Sequence, residues 1–174
     1  MNDVVTVDDV RRLREETGAG VMDSKRALDD ADGDFERARE LLRERGIAAA
    51  AKRSDRATSQ GVVESYVHGE GRIGVLVEIN CETDFVARTD DFRALARDVA
   101  MQVAAMDPAA LAPEDVGDDV PEAEREQSAL LTQAFVKDQS QSVQQRIEET
   151  IASTGENIRV TRFARFELGE QAEE

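Results

Sequence analysis

The chain has 174 residues, of which 40% are hydrophobic, 4% are aromatic and none is tryptophan, so aliphatic side chains and alanine must form most of any core. This length allows one domain or a small module beside a larger one, and the residue pattern favours two unequal modules. A formal net charge of -16 argues against general nucleic-acid binding, because a phosphate backbone selects clustered Lys and Arg. A protein partner with a basic or mixed surface is expected instead.

Cysteine content and apolar runs indicate the compartment. Cys81 is the single cysteine, so no intramolecular disulfide is expected and a reducing environment fits. The amino terminus lacks a basic region followed by an apolar core, and no run approaches the roughly 20 apolar residues that span a bilayer. The sequence therefore predicts a cytoplasmic protein without a targeting segment or a membrane partner.

The first part of the chain predicts short helices joined by turns. Thr6 and Asp9 form a capping-box pattern ahead of a helix that runs to Glu16. After a glycine-bearing turn, Asp23 is the candidate cap of a second helix, which Gly33 ends.

A third helix is predicted between Asp34, as its cap, and Gly46, as its terminator. Its apolar residues share one face: Phe35, Ala38, Leu41 and Leu42. Residues 1–46 are therefore expected to form a compact three-helix bundle, and residues 47–60 a helical extension that fades into a linker.

Two strands of a β-hairpin are predicted at residues 61–68 and 72–81, joined by a Gly-Glu-Gly turn whose glycines supply positive φ. The second strand has period-two apolar positions on one face: Val75, Val77, Ile79 and Cys81. Residues 158–168 are predicted to complete an antiparallel sheet, with a bulge that reconciles the opposite parities of Phe163 and Phe166.

Helices are predicted to pack on this sheet. One, capped by Asp90 or Asp91, has an apolar stripe that is expected to be core: Phe92, Leu95, Val99, Val103 and Met106. Another has a stripe ending near Gly155: Val143, Ile147 and Ile151. Residues 107–127 are acidic and hold all three prolines, so a surface connection or a weakly ordered segment is expected there.

The predicted fold class is α+β. After the three-helix bundle, residues 61–170 are expected to form a core of antiparallel sheet packed with helices, and residues 171–174 a tail.

Motifs that suggest metal or covalent chemistry are weak in this sequence. A calcium loop counted from Asp30 needs Gly at position six and Glu at position twelve, where the chain has Phe35 and Leu41. A Cys81 and His68 nucleophile pair shows no feature that would lower the thiol pKa, so a buried cysteine is favoured. The Gly-Ala-Gly turn lacks the Gly-Lys-Ser or Gly-Lys-Thr of a phosphate loop. No catalytic residue, metal or cofactor is predicted.

Two apolar features leave a choice between core packing and partner binding. Thr83-Asp84-Phe85-Val86 follows the second strand, and Phe85 either folds back into the core, which the pattern alone favours, or is presented to a partner. Arg14, Val21 and Met22 flank the interhelical turn and either belong to the bundle core, again favoured by pattern, or form a small exposed patch.

Two segments resemble a known family. LREETGAGVMDSKRAL (Leu13–Leu28) and EINCETDFVAR (Glu78–Arg88) are similar to the two characteristic motifs of translation elongation factor Ts, the bacterial nucleotide-exchange factor for elongation factor Tu. FARFELG near the carboxyl end is similar to the family's final strand. The resemblance implies a ubiquitin-associated-like amino-terminal bundle and an α+β core that contacts the GTPase domain of elongation factor Tu.

The resemblance also implies a mechanism. Thr83-Asp84-Phe85-Val86 would enter near the partner's magnesium site with the Phe85 ring as a wedge, and Arg14, Val21 and Met22 would touch the partner from the bundle. The implied activity is exchange without enzymatic chemistry. The chain would bind elongation factor Tu with GDP, promote GDP release by disturbing the magnesium site, and stay on the nucleotide-free partner until GTP rebinds.

Departures from the family pattern bear on the expected partners. The chain has one strand-hairpin-helix unit, which is similar to the short form of the family, and short forms are expected to pair as homodimers. A helical segment that family members carry is missing between Arg125 and Phe135. His68 matches a family histidine near the partner interface. The alternative function is a ubiquitin-associated-type adaptor without exchange activity, in which the bundle binds the partner.

Overall fold

The computed structural model describes residues 5–170, which form two compact units. The first comprises residues 5–56 and 148–157, and the second comprises residues 57–147 and 158–170. The division predicted from the sequence, at residues 46, 60 and 170, stays a prediction, and its tail at 171–174 lies outside the described residues. Within the described range no helix is long and apolar enough to cross a membrane.

The amino-terminal helices are α1 (Val7–Thr17), α2 (Val21–Asp30) and α3 (Phe35–Ala51). They enclose a small apolar core: Leu13, Ala27, Leu28, Ala31 and Ala38. The predicted capping box is present, with Thr6 and Asp9 each satisfying the other's backbone N–H. Asp34 caps α3 as predicted, by accepting from Arg37 N at 3.0 Å.

Two predictions for this unit are wrong. α2 begins at Val21 with Gly20 as its N-cap, so Asp23 lies in the first helical turn and does not cap it. Gly46 does not end α3, which continues to Ala51. A glycine terminates a helix where the chain turns left-handed, whereas Gly46 keeps helical geometry and is buried against the backbone of Glu148.

The second unit contains an antiparallel sheet of β1 (Gln60–His68), β2 (Ile73–Cys81) and β5 (Ile158–Glu167), in the order β1-β2-β5. The hairpin turn has positive φ at Gly69, Glu70 and Gly71, as its glycines indicate. The predicted inward face of β2 is confirmed, because its four alternating residues are all buried: Val75, Val77, Ile79 and Cys81.

β5 contains a bulge, but not between Phe163 and Phe166, where it would have placed both side chains on one face of the sheet. The register shifts between Glu78, which pairs with Arg162, and Ile79, which pairs with Val160. This shift precedes both phenylalanines, so Phe163 is half-buried and Phe166 is exposed on the opposite face.

Four helices and a small hairpin complete the described chain: α4 (Asp84–Ala87), α5 (Asp90–Met106), α6 (Glu122–Ser128), α7 (Val143–Thr154), β3 (Ala134–Phe135) and β4 (Asp138–Ser142). α5 packs across β1 and β2 and buries its stripe as predicted, except for Met106, which is exposed at the last position of the helix. Thr89, not Asp90 or Asp91, caps α5 by accepting from Phe92 N.

The acidic stretch is an ordered surface connection rather than a weakly ordered segment. It contains a 3-10 turn at Pro113–Asp115 and the helix α6. Ala109 N donates to Ser128 O at 2.8 Å, which ties the two ends of the stretch together. Local hydrogen bonds therefore order a sequence whose acidic composition suggested disorder.

The residues after α6 are fastened to α5 by a buried amide. Gln102 of α5 is fully buried, donates to Ala134 O at 3.1 Å and accepts from Val136 N at 2.7 Å. One turn earlier, Asp98 forms an ion pair with Lys137. These contacts fix the β3–β4 hairpin on α5.

Candidate functional site

The segment that follows β2 is a single helical turn rather than a bend. Thr83 is its N-cap and accepts from Val86 N at 3.3 Å, and Val86 and Ala87 are buried beneath it. Phe85 precedes the two buried residues and follows the cap in the sequence, yet it is 77% exposed. The interpretation that Phe85 returns to the core is therefore wrong, and its alternative, presentation to solvent, describes the structure. We refer to Thr83–Ala87 as the tip.

Side-chain hydrogen bonds join the tip to α5. Thr89 Oγ1 donates to Val86 O at 2.8 Å, and Arg93 Nε donates to Ala87 O at 3.1 Å. A helix of four residues leaves its last carbonyls without helical partners, and a turn this short is not stable alone. The Thr89 hydroxyl adds to the backbone bond that Val86 O accepts from Thr89 N at 3.0 Å, and Arg93 supplies a donor to Ala87 O, so the two side chains hold the tip on a long helix.

Cys81 contributes to the frame of the tip and is not placed for nucleophilic catalysis. It is fully buried at the end of β2, and its thiol donates to Thr83 O at 3.2 Å. In the β1–β2 register Cys81 pairs with Gln60, whereas His68 pairs with Ile73 at the other end of the hairpin. Eight residues of strand separate the two ends, roughly 26 Å, so no Cys81–His68 pair forms.

His68 lies beside a tyrosine at the turn end of the hairpin, far from the tip along the strands. Tyr66 Oη and His68 Nδ1 are 3.1 Å apart, and the two rings are stacked with centroids 6.0 Å apart. His68 and the tip are thus at opposite ends of the same hairpin.

An ion pair accompanies the aromatic ring at the tip. Arg88 Nη2 lies 3.0 Å from Asp84 Oδ2, one helical turn away, and both side chains are largely exposed. Exposed pairs of this kind contribute about 0–1 kcal/mol. The Asp84 carboxylate can therefore exchange Arg88 for a partner at little cost.

The turn between α1 and α2 presents a second exposed apolar surface. Val21 and Met22 are 56% and 58% exposed, so the interpretation that they pack in the bundle core is wrong. Gly18 ends α1 with φ +70, and its N–H donates to Arg14 O at 2.8 Å, which places Arg14 beside the turn. Arg14, Val21 and Met22 belong to the first compact unit, and the tip belongs to the second.

An open sheet face was missed by the sequence analysis. The side of the sheet opposite the buried β2 residues carries exposed apolar residues on all three strands: Val63, Val67, Leu76, Ala164 and Phe166. Leu76 pairs with Ala164, and Gly74 pairs with both Val67 and Phe166, so these residues form adjacent rows. The signal was present in part, because the outward positions of a one-sided strand should be polar, and here Val63, Val67 and Leu76 are apolar.

These features define an α+β protein with a helical amino-terminal bundle and several exposed apolar contact surfaces, without a cluster of metal-binding side chains among residues 5–170. A family model described as Elongation factor TS matches residues 36–129. Proteins named elongation factor Ts show the following identities, with the coverage of this chain and of the relative: Carboxydothermus hydrogenoformans 48% (96% and 90%), Desulfosudis oleivorans 48% (92% and 96%) and Thermotoga neapolitana 46% (96% and 98%).

The chain belongs to the elongation factor Ts family of translation elongation factors. The alignment with the Carboxydothermus protein extends over 196 positions, more than the 174 residues of this chain, so the relative contains residues that have no counterpart here. The match to the family model ends at residue 129, inside the stretch between Arg125 and Phe135.

Proposed function

We propose that the chain is a guanine-nucleotide exchange factor that binds elongation factor Tu with GDP and promotes GDP release. The observation that carries this proposal is Phe85, which is 77% exposed on a braced turn. Burying a phenylalanine side chain stabilises a protein by about 1.5–3 kcal/mol, so a fold that holds this ring in water forgoes that gain. A partner surface that receives the ring recovers it.

The tip supports a mechanism in which the partner's magnesium site is disturbed. A Mg²⁺ ion in the partner would help to hold GDP by neutralising the charge of its phosphates within a fixed set of oxygen ligands. The Phe85 ring, inserted beside that site, would displace the partner residues that hold the metal, while the Asp84 carboxylate would leave Arg88 and accept hydrogen bonds from the partner. Thr83 and Val86 hold this pair of side chains in place as cap and buried anchor.

The exchange is a population shift and not a chemical reaction of the chain. The chain binds the nucleotide-free partner more tightly than the GDP-bound one, and by linkage it lowers GDP affinity by the same factor. GTP that rebinds lowers the affinity for the chain and releases it. No covalent bond is made or broken, and Cys81, which is fully buried, supports the tip through its hydrogen bond to Thr83 O.

Two further contacts with elongation factor Tu are proposed. Val21 and Met22 offer an exposed apolar surface for a contact from the amino-terminal bundle, and Arg14, in the last turn of α1, adds one positive charge on the other side of the same interhelical turn. His68, with the Tyr66 ring stacked on it, offers a contact at the turn end of the hairpin. Because His68 lies far along the strands from the tip, it adds to affinity rather than to the action of the wedge.

The open sheet face supports the expectation that two copies pair. Its rows of Val67, Leu76 and Phe166 are apolar on a chain of net charge -16, and the neighbouring row carries the Glu78–Arg162 ion pair at 2.7 Å. A second copy related by a two-fold axis presents the same apolar rows and both signs of charge. We propose a homodimer through this face, acting in the cytoplasm, where translation supplies the partner.

The dimer is tested by sedimentation at several salt concentrations. Screening reduces repulsion between two acidic chains, so the dimer should strengthen as salt rises. Phe166→Asp should give a monomer with an unchanged circular-dichroism spectrum. A monomer at all concentrations and salts would refute the pairing.

Release of fluorescent GDP from elongation factor Tu tests the exchange proposal. The chain should accelerate release by orders of magnitude, and Phe85→Ala should lose most of that acceleration. Met106→Ala is the matched control, because Met106 is an exposed apolar residue at the far end of α5. Equal activity of the Phe85→Ala and Met106→Ala variants would contradict the role of the wedge.

The exposed patch on the bundle favours a second candidate function, a ubiquitin-associated-type adaptor. In that case Val21→Ser with Met22→Ser should abolish partner binding, while Phe85→Ala should leave it intact and GDP release should not respond to the chain. Under the exchange proposal the bundle substitutions weaken binding, but saturating concentrations of the chain restore release.

A further inference from the structure

The tip must resist the tendency of its own aromatic ring to fold back. Phe85 is followed by two buried residues, Val86 and Ala87, so apolar surface lies within one residue of an exposed ring. A short turn that rotates about its junction with α5 would let Phe85 bury itself in its own chain. That junction consists of Arg88, which is the C-cap of α4, and Thr89, which is the N-cap of α5.

One side chain from the first turn of α5 spans this junction. Arg93, in the first turn of α5, donates from Nε to Ala87 O at 3.1 Å, six residues back along the chain. Arg93 is an exposed residue, so its side chain contributes little to the hydrophobic core. The bond fixes the last carbonyl of α4 relative to α5 and therefore limits how Phe85, two residues earlier, can rotate.

We propose that Arg93 is a positioning residue that keeps Phe85 presented for the partner. This inference rests on the proposed exchange function and adds to it a residue outside the tip. If the presented state is only a fraction of the population, the apparent affinity of the tip falls by that fraction. Arg93 raises that fraction before any partner is bound.

A length-matched pair of substitutions separates the hydrogen bond from the charge. Arg93→Met and Arg93→Gln both end at the position of Nε and both lose the guanidinium group with its charge. Met places a methyl group at that position and so removes the donor, whereas Gln places an amide nitrogen there and keeps a donor. Arg97→Met is the control, since Arg97 is an exposed arginine one turn further along the same helix. The chain has no tryptophan, so Phe85→Trp provides a single fluorescent reporter at the tip.

The fluorescence arm needs no partner. In the Phe85→Trp background, Arg93→Met should shift the indole emission to shorter wavelength and reduce acrylamide quenching, while Arg93→Gln and Arg97→Met should leave both unchanged. Unchanged emission in Arg93→Met and in the truncation Arg93→Ala would overturn the proposal. So would equal shifts in Arg93→Met and Arg93→Gln.

The exchange arm uses the chain with Phe85 intact. Arg93→Met should raise the concentration needed for half-maximal GDP release about three- to tenfold, the range for one lost hydrogen bond, without lowering the melting temperature of the chain. Arg93→Gln should rescue it. A Met variant that melts earlier but releases GDP with an unchanged half-maximal concentration would show a purely structural role. Absence of release by the unsubstituted chain would refute the exchange function alone and leave the fluorescence result standing.

Discussion

Gly46→Ala should stabilise the amino-terminal unit, although the glycine is buried. Gly46 lies inside α3 with helical geometry, where glycine costs about 0.5–1 kcal/mol relative to alanine. A Cβ at this position would lie 3.7 Å from Glu148 O and 3.9 Å from Ala152 Cβ, both ordinary van der Waals distances. The added methyl group therefore fits without displacing the neighbouring backbone.

The free energy of unfolding is expected to rise by about 1 kcal/mol. Two terms contribute: the higher helix propensity of alanine, and the burial of one methyl group, which adds at most about 0.8 kcal/mol. For a chain of this size that corresponds to a rise in melting temperature of about 2–4 °C. Urea unfolding followed by circular dichroism measures the change in the free energy of unfolding.

Gly61→Ala provides the matched control. Its Cβ would lie 2.1 Å from Ile79 O, and its φ of +150 disfavours any side chain, so it should lose roughly 1–3 kcal/mol. If Gly46→Ala instead lost more than about 1 kcal/mol, the space beside Glu148 would be tighter than the distances indicate and the reasoning would fail.

Three further substitutions test the polar groups of the fold. Ser24 is fully buried and its hydroxyl has no hydrogen-bond partner among the described residues, so Ser24→Ala should raise stability by about 1 kcal/mol in urea unfolding. Gln102→Ala should cost about 2–4 kcal/mol in the same assay, because it leaves Ala134 O and Val136 N without their buried partner. Hydrogen bonds from Arg12 and then Arg39 hold the pKa of the Glu16 carboxyl below its usual value. The stabilisation that ionised Glu16 provides is fully present above the unfolded-state pKa and is lost as the pH falls through the folded-state pKa. Glu16→Gln removes this titrating group, so the free energy of unfolding should fall less steeply as the pH is lowered.

Local chemistry made much of the fold predictable. The capping box at Thr6 and the cap at Asp34 are each read from neighbouring residues, and the alternation that ends at Cys81 depends only on strand geometry. Tertiary context explains the failures. Gly46 is retained in a helix that packs on Glu148, and Thr89 competes with Asp90 for the same capping position.

In the candidate site, too, some features could be predicted from the sequence and others could not. Residue types alone favoured core positions for Phe85, Val21 and Met22, since apolar side chains are usually buried, and only the family resemblance indicated exposure. The brace from Arg93 could not be predicted, because an arginine on an amphipathic helix gives no sign that it reaches a carbonyl six residues back. The open sheet face was readable from the apolar residues Val67 and Leu76 between inward positions, but was overlooked.

Affinity for the two nucleotide states of elongation factor Tu tests the central claim most directly. A ligand shifts an equilibrium only by its differential affinity for the two states, so an exchange factor must discriminate between them. Titration calorimetry with GDP-bound and nucleotide-free partner should show binding to the nucleotide-free form that is tighter by orders of magnitude, and Phe85→Ala should reduce that ratio. Equal affinity for the two forms would contradict exchange and leave a simple adaptor.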